Sequence, residues 1–410
     1  MTPETKLTTR MQEIISQPEH PLIAAAIGVI KGGNILFAEA VGKQQLSGAD
    51  ATADTKFRIA SISKLVTAAG VWQLIEQGLI DPDADASQYL GFTLRNPHHP
   101  WIPITVRMLL CHTSSIRDGG KPGSYNIPYG HSISEFFQPG SPYHMPKGWA
   151  PAEETPGVFF AYCNMNYCLL GTVIENVSGE RFDRYMTRHI FEPMGLSCSY
   201  NVAEMPEAAQ SQVGTIYRRL NAAGEYDPVD SIWLAQCDDF SKGYPKEDYS
   251  DYPIGTNGSL FGPMGSLRIS IRELCRIMQM FCNGGNSNGA QILKPETIRR
   301  MFTPAWTYDP ALQNGDNYHG LMNCYGMGPH IFTNTPMGDK MVLAENLPFA
   351  GHTAEAYGLV GGMGFDLEKG NGIVYYAAGL ASSYPGSYSQ FYGWEEALLT
   401  AAADFAQFGY

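Results

Sequence analysis

The sequence predicts a mixed α/β protein whose single sheet is assembled from both ends of the chain, with a mostly helical stretch inserted between them. Two observations carry this. Apolar, strand-like runs lie near both ends: "LIAAAIGVI" (22–30) and "NILFAEAV" (34–41) at one, "YGLVGGMGFD" (357–366) and "GIVYYAAG" (372–379) at the other. Between them, helical periodicity alternates with long loops.

In chain order, residues 5–17 read as a short amphipathic helix. "KGG" separates the first two strand-like runs and is turn chemistry, so a β-hairpin is expected. "SISKLVTAAGVWQLIEQGLI" (61–80) has apolar residues at helical spacing and few breakers, which predicts a mostly buried helix. "TVRMLLCHTSS" (105–115) reads as a second helix running into a loop. Residues 116–157 are rich in Gly, Pro, Tyr and His; so long an irregular stretch is usually functional or disordered. Tyr129, Phe136, Phe137, Tyr143 and Trp149 argue against disorder. Residues 167–179 and 182–195 are helical and each closes on Gly, as does 269–285. Residues 394–408 form a closing helix. The expected organisation is a discontinuous sheet unit, 1–80 with 265–410, and an inserted, mostly helical unit, 81–264, carrying long active-site loops.

Composition narrows the function. The formal charge of −13 argues against a nucleic-acid partner, which needs a basic surface. No apolar run approaches the roughly 20 residues needed to span a bilayer. The N-terminal residues lack the apolar core of a signal peptide, so a cytoplasmic home is expected, or a periplasmic one if a leader has been removed. The eight cysteines are scattered without a C-x-x-C pair and the ten histidines show no ligand spacing, so neither a metal site nor a disulfide framework is expected. Oligomeric state is left open.

Three short stretches carry chemistry. Ser61 and Lys64 form the one S-x-x-K, at or near the start of an apolar helix. They share a helix face. Free N–H groups at the helix start favour developing negative charge, and burial lowers a lysine's pKa and makes it a usable base. A capping serine with an exposed lysine is the alternative. Tyr162-Cys163-Asn164 is the one Y-x-N, between the irregular loop and a helix; alone it reads as a helix-entry cap. "GHTAEAYG" (351–358) is a polar interruption at the edge of an apolar strand, where a histidine is either functional or simply hydrogen-bonded.

Taken in order, these stretches resemble the class C β-lactamase-like serine hydrolases: β-lactamases, D-Ala-D-Ala peptidases, D-amino-acid peptidases and amidases, and family VIII esterases. The likeness extends over roughly 20–405 and includes "FRIASISK", "ITVRMLLCHTSSI", "PGVFFAYCNMNYCLLGTVIENVSG", "IFEPMGL", "GSLRISIRELCRIMQMFCNGG" and "GHTAEAYGL". The resemblance implies an α+β fold, an antiparallel sheet flanked by helices with the nucleophile's helix at the junction with the insertion. It implies Ser61 as nucleophile, Lys64 or a Tyr162 phenolate as base, Tyr162 as proton donor to the leaving group, and Asn164 as the residue that positions substrate or Lys64. It also implies an oxyanion site between the N–H groups of Ser61 and Glu355, with His352, Thr353 and Ala354 on the substrate strand. The chemistry implied by the resemblance needs no cofactor.

The pattern departs from the family there. Ala354 replaces the glycine of K-T-G and narrows the passage beside the strand. His352 replaces a lysine and removes a permanent charge expected to face a substrate carboxylate. Ser115 stands where glycine is common. The expectation is therefore a hydrolase of small esters, amides or peptides. A penicillin-recognising peptidase or β-lactamase, and a non-catalytic binding protein on the same fold, are the alternatives.

Overall fold

The computed structural model describes residues 1–121 and 123–408. Among them, ten strands form one sheet, eight of them along a single path. Its order is Asn34–Gly42, Leu22–Lys31, Asn371–Leu380, Leu359–Asp366, Ala350–Ala356, then the two-residue strands His330–Ile331, Cys324–Tyr325 and Trp306–Thr307. Every pairing along this path is antiparallel. The first hairpin turns at Gly32 and Gly33, both at positive φ (56° and 76°), which a two-residue turn between twisted strands demands.

The central strands read as unbroken apolar runs because both faces are covered. On Leu22–Lys31, Ala24 and Ala26 face one apolar core; Ala25, Ile27 and Val29 face the other. The first core is closed by helices Ile62–Glu76 and Ile271–Cys282, the second by the terminal helices Pro3–Ile15 and Gly393–Ala406. A side chain at Gly28 would meet Cys275 Sγ at 2.3 Å, so this strand position lets the helix approach.

Several elements differ from the expectations above. The helix expected over 105–115 is only Val106–Leu110, because His112 (φ 59°) and Ser115 (φ 63°) take left-handed conformations that no helix accommodates. Ser115 thus occupies a conformation that favours glycine, and its Oγ accepts from the buried Asn96 amide (3.1 Å). The helix over 182–195 is a short α segment, Phe182–Met186, continued by a π turn, Thr187–Phe191. The inserted stretch also contains a β-hairpin, Ile216–Leu220 with Ile232–Cys237, joined to the sheet by one parallel bridge, Arg218 to Leu380. Of that hairpin's strand residues only Ile216 is fully buried, so it has no buried face whose alternation could be read. The loop 116–157 folds around Phe136, which is fully buried, with Phe137 against Trp149 (ring centroids 4.9 Å apart).

The strands Lys56–Arg58 and Arg268–Ser270 pair with each other. They clamp the chain just before Ser61 to the stretch that returns from the insertion.

Candidate active site

Ser61 stands immediately before the helix Ile62–Glu76, and its side chain makes no capping bond. The residue before it, Ala60, is buried with φ 47°, a left-handed conformation that costs an alanine roughly 1 kcal/mol or more. That turn ends the preceding strand and lifts Ser61 to the cleft while Ile62 and Ser63 stay buried. The serine is therefore not a cap, and Lys64 is not a surface lysine: it is fully buried.

Lys64 Nζ has three neighbours: Ser61 Oγ at 3.0 Å, Asn164 Oδ1 at 2.7 Å and the Met264 carbonyl at 2.7 Å. A neutral amine has two N–H donors and one lone pair. The carbonyl oxygens of Met264 and Asn164 can only accept, so they take both donors, and the lone pair is left for the Ser61 hydroxyl proton. Burial is the main reason its pKa is lowered to about 7; Asp118 pulls the other way.

Tyr162 and Asn164 arrive on either side of Cys163, the residue that precedes the helix Asn164–Ser178. His112 Nδ1 accepts from the Cys163 N–H (3.1 Å), and Ser114 Oγ donates to Asn166 Oδ1 (2.7 Å). The "HTSS" loop thus holds the Y-x-N backbone in place. The Tyr162 ring lies 4.9 Å from Lys64 Nζ, and its buried hydroxyl makes no hydrogen bond of normal geometry. Burial pushes the phenol well above its usual pKa, although nearby Ser61 pulls slightly downward.

The strand Ala350–Ala356 lies beside the nucleophile helix. Phe332 N–H donates to the Phe349 carbonyl (3.0 Å), so odd-numbered residues turn their backbone groups towards the neighbour His330–Ile331. That neighbour ends opposite Gly351. Beyond it, Thr353 and Glu355 turn their N–H groups to an open edge, and the Ser61 N–H makes no hydrogen bond among the described residues.

Ser61, Tyr162, Thr353, Ala354 and Glu355 line one cleft of about 410 Å³, together with Gln390, Phe391, Tyr392 and Glu395. Larger grooves elsewhere, of about 770 and 730 Å³, contain none of the residues singled out by sequence.

His352 was expected at the substrate face. It is instead fully buried beside the Tyr162 ring (centroids 6.0 Å apart) and does not line the cleft. Its Nδ1 donates to the Thr353 carbonyl (2.6 Å), which leaves Nε2 to accept from the Tyr325 hydroxyl (2.8 Å). Burial, with Lys64 nearby, lowers its pKa to about 3, so the ring is neutral.

Sequence reasoning did not single out Asp118, which contacts Asn164, or Glu395, a buried carboxylate in the cleft wall at the start of the last helix. Burial raises the Glu395 pKa to about 7. Asp118 carried one signal, its place directly after "HTSSIR".

A family model described as Beta-lactamase matches residues 6–387. Among curated proteins, Protein flp of Staphylococcus aureus (strain N315) is 26% identical over 202 residues, 47% of this chain and 39% of that protein. The chain thus spans about two fifths of that relative's length. Among solved structures, the octameric penicillin-binding protein homologue from Pyrococcus abyssi superposes with a TM-score of 0.64 at 23% identity, covering 91% of this chain and 73% of that one. The D-amino acid amidase from Ochrobactrum anthropi SV3, complexed with L-phenylalanine amide, does so with a TM-score of 0.64 at 17% identity, covering 98% and 99%. At these identities the likeness speaks for the fold.

Proposed function

The chain belongs to the beta-lactamase family, and from that premise we propose that it is a serine hydrolase acting through an acyl-enzyme on small esters or amides, uncharged or amine-bearing. The observation that carries the hydrolase reading is Lys64, fully buried, with two obligatory acceptors on its N–H groups and its lone pair facing Ser61 Oγ.

Ser61 Oγ attacks the substrate carbonyl as Lys64 takes its proton. The lysine is the better candidate for this base, because a phenol held well above its usual pKa is a poor source of phenolate. The oxyanion sits between the N–H groups of Ser61 and Glu355. Collapse breaks the bond to the leaving group, which takes a proton from Tyr162, and Tyr162 is reprotonated from Lys64. Water then attacks the ester of Ser61 by the reverse relay, releasing the acid and restoring the serine.

The substrate class follows from charge. Among the described residues lining the cleft none is Lys or Arg, while Glu355 and Glu395 are there and His352 is neutral. Such a wall disfavours the carboxylate borne by penicillins and by peptide C-termini, and accepts an ammonium. The fold neighbour from Ochrobactrum anthropi, a D-amino acid amidase, was solved with an amine-bearing amide.

A panel of p-nitrophenyl esters, aminoacyl p-nitroanilides and nitrocefin tests this. Turnover of nitrocefin above that of both other classes would replace the reading with a β-lactamase one. Glu355→Gln is expected to lower kcat/KM on aminoacyl substrates about 3–10-fold relative to neutral esters, the effect of one partly solvated charge pair. An equal change on both classes would remove Glu355 from specificity.

A pH profile follows from the base. Lys64 acts only when neutral, and its pKa is about 7. Activity should therefore rise with pH through about 7 and fall roughly tenfold per unit on the acidic side. A rate independent of pH between about 5.5 and 8 would remove Lys64 as the base.

A further inference from the structure

Resting on the hydrolase reading above, the geometry points to Asp118 as a positioning residue, one that locks the Asn164 side chain so that its oxygen, and not its nitrogen, faces Lys64. An asparagine amide is nearly symmetric in shape, and either end fits the space beside an amine. Only the oxygen end accepts an N–H from Lys64. Something must therefore choose between the two orientations, and it must lie on the far side of the amide.

Asp118 is there. Its Oδ2 accepts from Asn164 Nδ2 at 2.8 Å, while Asn164 Oδ1 takes the Lys64 N–H at 2.7 Å on the opposite side. An ionised carboxylate has no proton to donate, so it accepts only from the NH2 end and fixes the flip state. The other oxygen is already engaged. Asp118 Oδ1 accepts from the Met165 N–H at 2.9 Å and from Cys163 Sγ at 3.2 Å. A carboxylate serving only as cap for the helix Asn164–Ser178 needs the Met165 bond alone. Here the second oxygen is directed to the side chain that touches the base.

Asp118 is itself held. Ile116 bridges to Trp149, Arg117 N–H donates to the Gly148 carbonyl (3.0 Å), and the Arg117 guanidinium pairs with Glu154. The carboxylate thus projects from a braced loop onto the Y-x-N segment. The result is one directed chain: Asp118, Asn164, Lys64, Ser61. It also puts a negative charge near Lys64, which favours the ammonium and opposes the effect of burial.

The test is Asp118→Asn together with the swap Asp118→Asn/Asn164→Asp. In Asp118→Asn the orientation of Asn164 is no longer dictated and the negative charge is gone. A flipped Asn164 turns its NH2 towards Lys64, which also disfavours the ammonium. Both effects have the same sign. The acidic limb of the kcat/KM profile is expected to move to lower pH by about half a unit or more, with kcat/KM down about 10–100-fold on its plateau. The swap keeps an acceptor against Lys64 and brings the negative charge closer to it. Its limb is expected to move the other way, above that of the parent protein.

The same two shifts should appear in a carbon-13 titration of Lys64 Cε, which requires no turnover. Melting temperature monitors the Met165 bond, which the amide oxygen introduced by Asp118→Asn can still accept; should the single variant not fold, the swap carries the test. An unchanged Lys64 titration in either folded variant overturns the proposal. Absence of any Ser61 acylation in the parent protein would instead overturn the hydrolase reading, while the titration still reads the hold of Asp118 on Lys64.

Discussion

Replacing Ser61 with alanine is expected to abolish turnover, by at least about 10⁴-fold, and to remove all labelling by a fluorophosphonate probe. The expectation is strict because the neighbouring serine cannot stand in. Ser63 is the nearest hydroxyl in sequence, but it is fully buried and its Oγ accepts from the Leu267 N–H (3.2 Å). Without the hydroxyl there is no bond to form with the acyl carbon, and Lys64 retains two hydrogen bonds and no proton to take. The fold should persist, since the lost group is partly exposed and has a single protein partner. In the parent protein, peptide mapping should find the probe on one tryptic peptide, the one containing Ser61. Labelling that survives in Ser61→Ala would place the nucleophile elsewhere.

Tyr162→Phe is the next largest effect, and rate and stability should part company. A positioned acid–base group is worth about 10²–10⁴-fold in kcat. Had Tyr162 been a structural cap, losing its hydroxyl would cost stability, about 0.5–1.5 kcal/mol for one hydrogen bond, and leave turnover nearly intact. The hydroxyl has no bonded partner and is buried, so its removal takes an unsatisfied polar group out of the interior. The melting temperature is expected to hold or rise while kcat falls. Steady-state kinetics and a thermal melt on the same sample separate the two readings. A well-folded variant with near-normal kcat on its best ester leaves Lys64 as the only proton-transfer group.

What could be read from the sequence divides along physical lines. The strands at 22–31 and 359–380 are legible because burial on both faces makes them continuous apolar runs. The hairpin at 216–237 is not, because it has no fully buried face. Ser61 and Lys64 are legible together because helix geometry brings residues three apart onto one face. Tyr162 and Asn164 lie about a hundred residues away, and nothing local links them to Lys64; a resemblance in motif order was needed. The position of His352 could not be read at all. A strand shows its alternation, but only the fold decides what covers each side chain: Ala354 lines the cleft, whereas His352, on the same face, is covered by Tyr162 and Tyr325. Asp118 escaped for a similar reason, since its meaning lies in a hydrogen bond to a residue 46 positions on.

The antiparallel pairing of Leu22–Lys31 with Asn371–Leu380 has a consequence for synthesis. The partner of Leu22 is Leu380, and the partner of Ile30 is Gly372. A strand made early therefore waits for about 350 residues to leave the ribosome, roughly 20–70 s at ordinary elongation rates. Throughout that interval the first hairpin offers an unpaired edge along an almost wholly apolar strand, the kind of surface that recruits other chains. The insertion, by contrast, can begin to pack as it emerges. Completion of the sheet, and with it of the cleft beside Ser61, is thus one of the last events in the life of the nascent chain, and this architecture makes newly made copies dependent on whatever shields that edge in the meantime.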